Sequence, residues 1–255
     1  MEVARFPGPS GAMFPGMPDG GARVRLAICN ALGETDCSPT ELAEAIGRPK
    51  NLVAYHLGLL RAAGMADWRR SDGDGRQKYV SLTGEGRSLF HLRRSEQRTS
   101  PVRNPAFLCW NGADRSQLAA AIWQALTGDA ANAFGLLPTG SVHPGVAVAA
   151  KKVGIPFEAF RPMAIRGPMT NYNDAAKHYV ANGPTIVLCD RVWERRVRDC
   201  LPLSPRVLHW SIPDPRQTAR TTQDHRRVKF GEVVGDLLQR CEHAAGFMRS
   251  PTNRF

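Results

Sequence analysis

The sequence predicts two folded parts in tandem, an α+β domain first and an α/β domain with a small parallel sheet second. Three observations predict this. The chain has 255 residues, more than one average domain and about right for two of modest size. In its first hundred residues, three stretches with apolar residues at helical spacing precede two extended stretches joined by Asp-Gly pairs. In the remainder, short apolar stretches of strand length alternate with helical patterns, the order that builds a parallel sheet.

Composition sets outer bounds. A hydrophobic content of 42% is enough for ordinary cores, and no run approaches the roughly 20 apolar residues of a spanning helix. Residues 1–20 are rich in Gly, Pro and Met, with no apolar core behind a basic start, so a flexible arm is expected rather than a signal peptide, and a cytoplasmic protein with no membrane partner. Net charge is +11. Residues 1–104 hold 15 Lys/Arg against 11 Asp/Glu, and residues 105–255 hold 19 against 12. A basic surface favours polyanions, meaning nucleic acid or phosphate-like ligands. A generally basic protein has the same charge, so charge decides nothing without motifs. The six cysteines, Cys29, Cys37, Cys109, Cys189, Cys200 and Cys241, include no CxxC pair and predict no disulfide framework.

The first domain is expected over 21–95. Val24, Ala27, Ile28, Ala31 and Leu32 have helical spacing. Ser38-Pro39-Thr40-Glu41 has the form of a capping box, with Leu42, Ala45 and Ile46 as the apolar face of the helix it opens and Gly47 as its end. A third helix begins around Pro49, buries Val53, Leu57 and Leu60, and closes at Gly64. Ala66 to Arg70 and Gln77 to Leu82 then read as two strands, with Ser71-Asp72-Gly73-Asp74-Gly75 as their turn. Helices, a tight turn, a third helix and a basic hairpin is the order of a winged helix-turn-helix.

The stretch from Pro39 to Leu82, above all Asn51 to Met65, resembles the ArsR family of bacterial repressors, and Leu82-Thr83-Gly84-Glu85-Gly86 is also common in winged-helix regulators. The resemblance implies a third helix in the major groove of a double-stranded operator. Lys50, Asn51 and Tyr55 would face bases or phosphates, and Arg69, Arg70, Arg76 and Lys78 the backbone. The alternative for the hairpin is a solvated basic surface on a protein–protein adaptor. The resemblance also implies a homodimer through terminal helices, to which Leu89, Phe90 and Leu92 could contribute. Metalloid sensors of this family often carry paired cysteines near the second helix. Here only Cys37 is nearby, with Cys29 one helix earlier, so two core thiols stand against a metalloid site, and no metal or other cofactor is expected.

Residues 96–104 are polar, carry a proline, lack periodicity and read as a linker. The second domain is expected over 105–250. Ala106 to Cys109 is a short apolar strand running into Cys109-Trp110-Asn111-Gly112-Ala113-Asp114-Arg115-Ser116, followed by a helix from Gln117 to Leu126. C-x5-R-S between strand and helix carries a mechanism. A loop of this length can curl its N–H groups around one tetrahedral oxyanion at the positive end of a helix dipole. Arg115 can clamp two of the oxygens. The same field lowers the thiol pKa of Cys109, and Ser116 can donate a hydrogen bond to the thiolate.

This loop, with Val142 to Val146, Arg161-Pro162, Thr185 to Asp190 and His209 to Pro215, is similar to low-molecular-weight tyrosine phosphatases and their arsenate-reductase relatives, over about Ala106 to Arg240. A helix with Phe230, Val233, Val234, Leu237, Leu238 and Cys241 on one face fits the closing helix of that fold. The resemblance implies Cys109 as nucleophile, Arg115 and Ser116 as its partners, and Asp214 of the Asp-Pro pair as general acid; taken alone, an Asp-Pro is usually just a turn. Thiol-coupled arsenate reductases also use further cysteines. Cys189 and Cys200 lie in that region, although Cys189 reads equally well as a core thiol.

The loop departs from the family at three places. Gly112 stands where asparagine is usual, with Asn111 one place earlier. Trp110 is bulky and could narrow the mouth or stack on a ligand. Asp114 either points into the cradle, repelling an anion and raising the Cys109 pKa, or points outward. The expected ligand is an oxyanion or phosphorylated small molecule held by Trp110 to Arg115. Three functions follow: a transcriptional regulator whose second domain senses that ligand, an active arsenate reductase or tyrosine phosphatase fused to its own regulator, or a thiol redox switch.

Overall fold

The computed structural model describes Phe14 and residues 21–94, 102–138, 141–157, 163–164, 180–190, 193, 206–215 and 230–246. The expected N-terminal arm except Phe14, residues 96–101 of the expected linker, Arg161-Pro162 and Cys200 lie outside the described residues. By contact the chain divides into two compact units, Met1–Arg69 with Gln77–Arg98, and Arg70–Arg76 with Thr99–Phe255.

The first unit holds α1 (Ala22–Glu34), α2 (Pro39–Ile46), α3 (Lys50–Ala62), the paired strands β1 (Ala66–Arg70) and β2 (Lys78–Leu82), and α4 (Gly84–Arg94). The capping box forms: Glu41 N–H donates to Ser38 Oγ at 3.3 Å, and Ser38 N–H to Glu41 Oε2 at 2.8 Å. Gly47 ends α2 in the left-handed conformation, φ +61°, which a Cβ would disfavour. Val53, Leu57 and Leu60 are buried as their spacing predicts, and Ile28, Leu32, Leu42, Val80 and Leu82 complete the core.

Two faces are rotated from expectation. In α2 Ala43 is buried and Ala45 exposed. In α1 the buried side is Ala22, Arg25, Ile28, Cys29 and Leu32, leaving Val24, Ala27 and Ala31 half-buried. Apolar spacing missed this because a buried position is an arginine. Its guanidinium carbon sits 5.0 Å from the Phe14 ring centroid, a cation–π contact that offsets part of the cost of burying the charge. Phe90 is buried in this core while Leu89 is exposed, so of these two only Leu89 is available to a dimer surface.

The second unit is a five-stranded sheet of β3 (Ala106–Cys109), β4 (Asn132–Gly135), β5 (Met163–Ala164), β6 (Thr185–Val187) and β7 (Val207–His209), ordered β5-β4-β3-β6-β7. All four pairings are parallel. Helices with described bounds in this unit are α5 (Arg115–Thr127), α6 (Pro144–Lys152) and α7 (Phe230–Ala245). α5 packs on β3 and β4 and against α7. Val233, Val234, Leu237 and Cys241 of α7 are buried in the core, with Phe230 and Leu238 packed partly buried against it. Phe107 sits between Trp123 and Trp210, centroids 6.3 and 6.0 Å away. Val102 N–H donates to Ala244 O at 3.0 Å, so the described end of the expected linker is anchored in this unit.

The strand order positions the site. From β3 the chain steps outward to β4 and β5, then returns to the other side of β3 for β6 and β7. The carboxyl end of β3 is therefore the point where the winding reverses, and in open α/β sheets the crevice at such a point receives ligands. Cys109, the last residue of β3, stands there.

Candidate functional site

The loop from Cys109 to Asp114 connects β3 to the amino end of α5. Cys109 Sγ lies 3.2 Å from Ser116 Oγ, and both side chains are buried. With the thiol ionised, the serine hydroxyl donates to the thiolate, the stronger charge-assisted form of this bond. As a thiol, Cys109 can donate to Asn111 Oδ1 at 3.5 Å. The same Asn111 oxygen accepts the Ala113 N–H at 3.2 Å, so this asparagine braces the loop. Gln117 adds a second brace from inside α5, Nε2 donating to Gly112 O at 3.0 Å.

Gly112 has φ +64°, a region where glycine and, among other residues, asparagine are most at ease. A Cβ there would lie 2.6 Å from Gly135 N, and one on Gly135 would lie 2.7 Å from Gly112 N. Two glycines thus let the loop lie backbone against backbone on β4. Leu136 N–H to Cys109 O at 3.1 Å and Leu137 N–H to Trp110 O at 2.9 Å continue that seam.

Arg115 is buried at the first position of α5. Nη1 donates to Ile212 O at 2.6 Å, and Nη2 lies 3.5 Å from Asp214 Oδ2. Burial works against its charge, but Cys189, Asp214, Cys109 and Asp72 more than offset this and raise its pKa. The guanidinium is a permanent cation at the base of the loop. The expected general acid, Asp214, is brought beside it with a side chain 23% exposed. Asp114 directs Oδ1 to the His143 N–H, 2.9 Å away at the start of α6. His143 caps that helix by accepting the Gly145 N–H on Nδ1 at 3.0 Å, and its ring stacks on Phe230. The Asp114 carboxylate is thus engaged as a tie to α6.

The wall beside Arg115 contains a polar cluster that sequence reading did not single out. Asp190 Oδ1 accepts from Ser211 Oγ at 2.7 Å and is 2.9 Å from His209 Nε2. Trp193 stacks on His209 with centroids 4.8 Å apart. Asp190 Oδ2 accepts the N–H of Asp72 at 3.3 Å, and the Asp72 carboxylate lies 3.7 Å from Arg115 Nη1. Asp72 belongs to the segment Arg70–Arg76, which by contact is part of this unit. Asp190 and His209 fall inside strings that the family resemblance had marked, whereas a residue more than forty positions upstream carried no signal.

In the first unit the expected DNA-facing residues of α3 are exposed: Lys50, Asn51 and Tyr55, the last 57%. Lys78 on β2 is exposed too, and Arg69 on β1 is half-buried. Arg70 and Arg76, at the ends of the segment just described, are exposed. Cys29 and Cys37 are both buried. Burial pushes the Cys29 thiol up to about 12, with Arg25 opposing. Cys37 N–H and C=O both pair with Val80, tying the turn after α1 to the hairpin. Among the described residues no group of three or more His, Cys, Asp or Glu is placed to hold a metal. None of the described helices is long and apolar enough to cross a membrane.

Comparisons with known proteins divide along the same line. A family model described as a helix-turn-helix domain matches residues 21–67. A mutant of ZitR from Lactococcus lactis is 20% identical over 29% of this chain, with a TM-score of 0.28, and the chain spans 50% of that protein's length. The tyrosine phosphatase amsI of Erwinia amylovora is 14% identical over 59% of this chain and 95% of its own, with a TM-score of 0.43. An arsenate reductase from Archaeoglobus fulgidus is 15% identical over 56% of this chain and 98% of its own, with a TM-score of 0.36. Among curated proteins nothing matches. The chain thus matches a helix-turn-helix domain over residues 21–67 and has a weak likeness to a low-molecular-weight tyrosine phosphatase and an arsenate reductase.

Proposed function

We propose that this protein is a DNA-binding regulator whose second unit binds a tetrahedral oxyanion, free or carried on a small phosphorylated molecule, in the Cys109–Ser116 loop. One observation carries the reading. At the reversal point of a parallel sheet, a buried cysteine lies 3.2 Å from a serine hydroxyl, in a loop closed by a buried arginine at a helix amino terminus. The α5 amino end and Arg115 supply positive potential at one spot. The α3 residues Lys50, Asn51 and Tyr55, with the basic residues of the hairpin, supply the operator contacts. A homodimer meeting a two-fold operator suits a helix-turn-helix.

A second reading, an active phosphatase or arsenate reductase fused to its own regulator, is favoured by the approach of Asp214 to Arg115. In a phosphatase, the Cys109 thiolate attacks phosphorus, the bond to the leaving oxygen breaks, and Asp214 gives that oxygen its proton. Water then cleaves the thiophosphate and restores the thiolate.

Hydrolysis of an aryl phosphate by the full chain, alongside Cys109→Ser and Asp214→Asn, separates the two readings. Turnover lost with Cys109→Ser makes the unit an enzyme. An inert chain that still binds phosphate, losing it with Arg115→Ala, leaves a binding unit. A chain that neither turns over nor binds phosphate refutes both.

A further inference from the structure

The Arg70–Arg76 segment carries a carboxylate that is held near the cationic end of the loop. It is held through different atoms. The Asp72 N–H donates to Asp190 Oδ2 at 3.3 Å, and the Asp72 carboxylate lies 3.7 Å from Arg115 Nη1. The receiving carboxylate is itself rigidly placed, since Asp190 is fully buried and holds Ser211 and His209. The segment is shaped for the approach. Ser71 is buried, and its Oγ accepts the N–H groups of Gly73 and Asp74 at 2.9 and 3.1 Å, a serine turn that fixes the backbone around Asp72. The Asp72 side chain is only 19% exposed, so its charge meets Arg115 with limited screening.

We infer that Asp72 is an internal competitor for the oxyanion site: its carboxylate draws on the guanidinium that a bound oxyanion needs, and the two exclude one another. The inference rests on the anion-binding reading above and deepens it. An oxyanion clamped by Arg115 places negative charge next to Asp72, and like charges at such range repel. Binding therefore expels the carboxylate and strains the Asp72–Asp190 bond. Asp72 sets the concentration at which the loop fills, and favours ligands whose charge outcompetes a single carboxylate. The chain itself supplies a lever for the regulator, because residues 70–76 are covalently continuous with β1 and β2.

The test is calorimetric titration of the full chain with sulfate, whose charge is constant over the working range, and with inorganic phosphate. The variants are Asp72→Asn and, as a control for bulk charge, Asp74→Asn, whose exposed side chain accepts from Arg76 N–H within the segment. Asp72→Asn is expected to tighten both anions by roughly fivefold or more, the lower edge of ordinary coupling between sites, while Asp74→Asn leaves them as in the unmodified chain. Equal affinity for Asp72→Asn and the unmodified chain overturns the inference and leaves the anion-binding reading intact. Equal tightening by both variants overturns it in favour of bulk charge. No binding by any of the three proteins overturns the inference together with the reading beneath it.

Discussion

The two units present positive charge by opposite means. The first offers cations in water, with Lys50 and Lys78 exposed and free to adjust to a backbone. The second offers the buried guanidinium of Arg115, fixed by Ile212 O and by the carboxylate of Asp214. Exposed charges are individually weak, additive and screened by salt. A buried, pre-placed charge is strong, geometry-dependent and intolerant of change. The contrast teaches that charge count says little about mutational sensitivity. In the second unit the cationic spot at Arg115 rests on a few atoms, whereas in the first the positive charge is spread over many.

Several measurements would sharpen or break that contrast, and Cys109→Ser carries the largest expected effect. If the loop turns over, aryl-phosphate hydrolysis should fall roughly 10³-fold or more, while circular dichroism stays unchanged. Asp214→Asn comes next, with kcat lowered by roughly 10²- to 10⁴-fold. A variant as active as the parent would remove Asp214 from the mechanism. Gly112→Ala should cost about 1–3 kcal/mol in denaturant unfolding, since it combines a positive φ with a Cβ 2.6 Å from Gly135 N. Phosphate affinity should fall with it. In the first unit, Lys50→Ala should weaken operator binding modestly and lower the slope against log salt by about 1. A large, salt-independent loss there would mean that Lys50 reads a base.

The smallest effect concerns His56, buried in α3, whose pKa is lowered by burial and then by Arg25 from its ordinary 6.5. A depressed folded-state pKa means that unfolding takes up a proton, so stability is full above about 6.5 and is lost as pH falls through the lowered value. Thermal melts from pH 7.5 to 5 should show the first unit weakening, with the slope reduced in His56→Gln. An unchanged slope would clear His56 of that role.

Much of this was legible because the chemistry demanded contiguous residues. C-x5-R-S between a strand and a helix located β3, the loop and α5 together, and the Ser38 box and Gly47 bounded α2. The rotated faces of α1 and α2 were not legible, and in α1 one buried position is Arg25, which no apolar period encodes. The loop's departures could be seen, but not their resolution. That Asn111 braces Ala113, and that Asp114 reaches the His143 N–H, depends on where β4 and α6 place their backbones. Asp72 and Asp190 are 118 positions apart, so their meeting is a property of the folded chain alone.

The paired glycines on the loop and β4 have a consequence for redesign. Because Gly112 and Gly135 each exclude a side chain at the other, the seam must be inherited as a unit by any library that seeks new ligands for this loop. Diversity belongs at Trp110 and around the apolar rim near exposed Leu137, where side chains face outward or are only half-buried. A scaffold divided in this way can change what it accepts without relearning how to hold it.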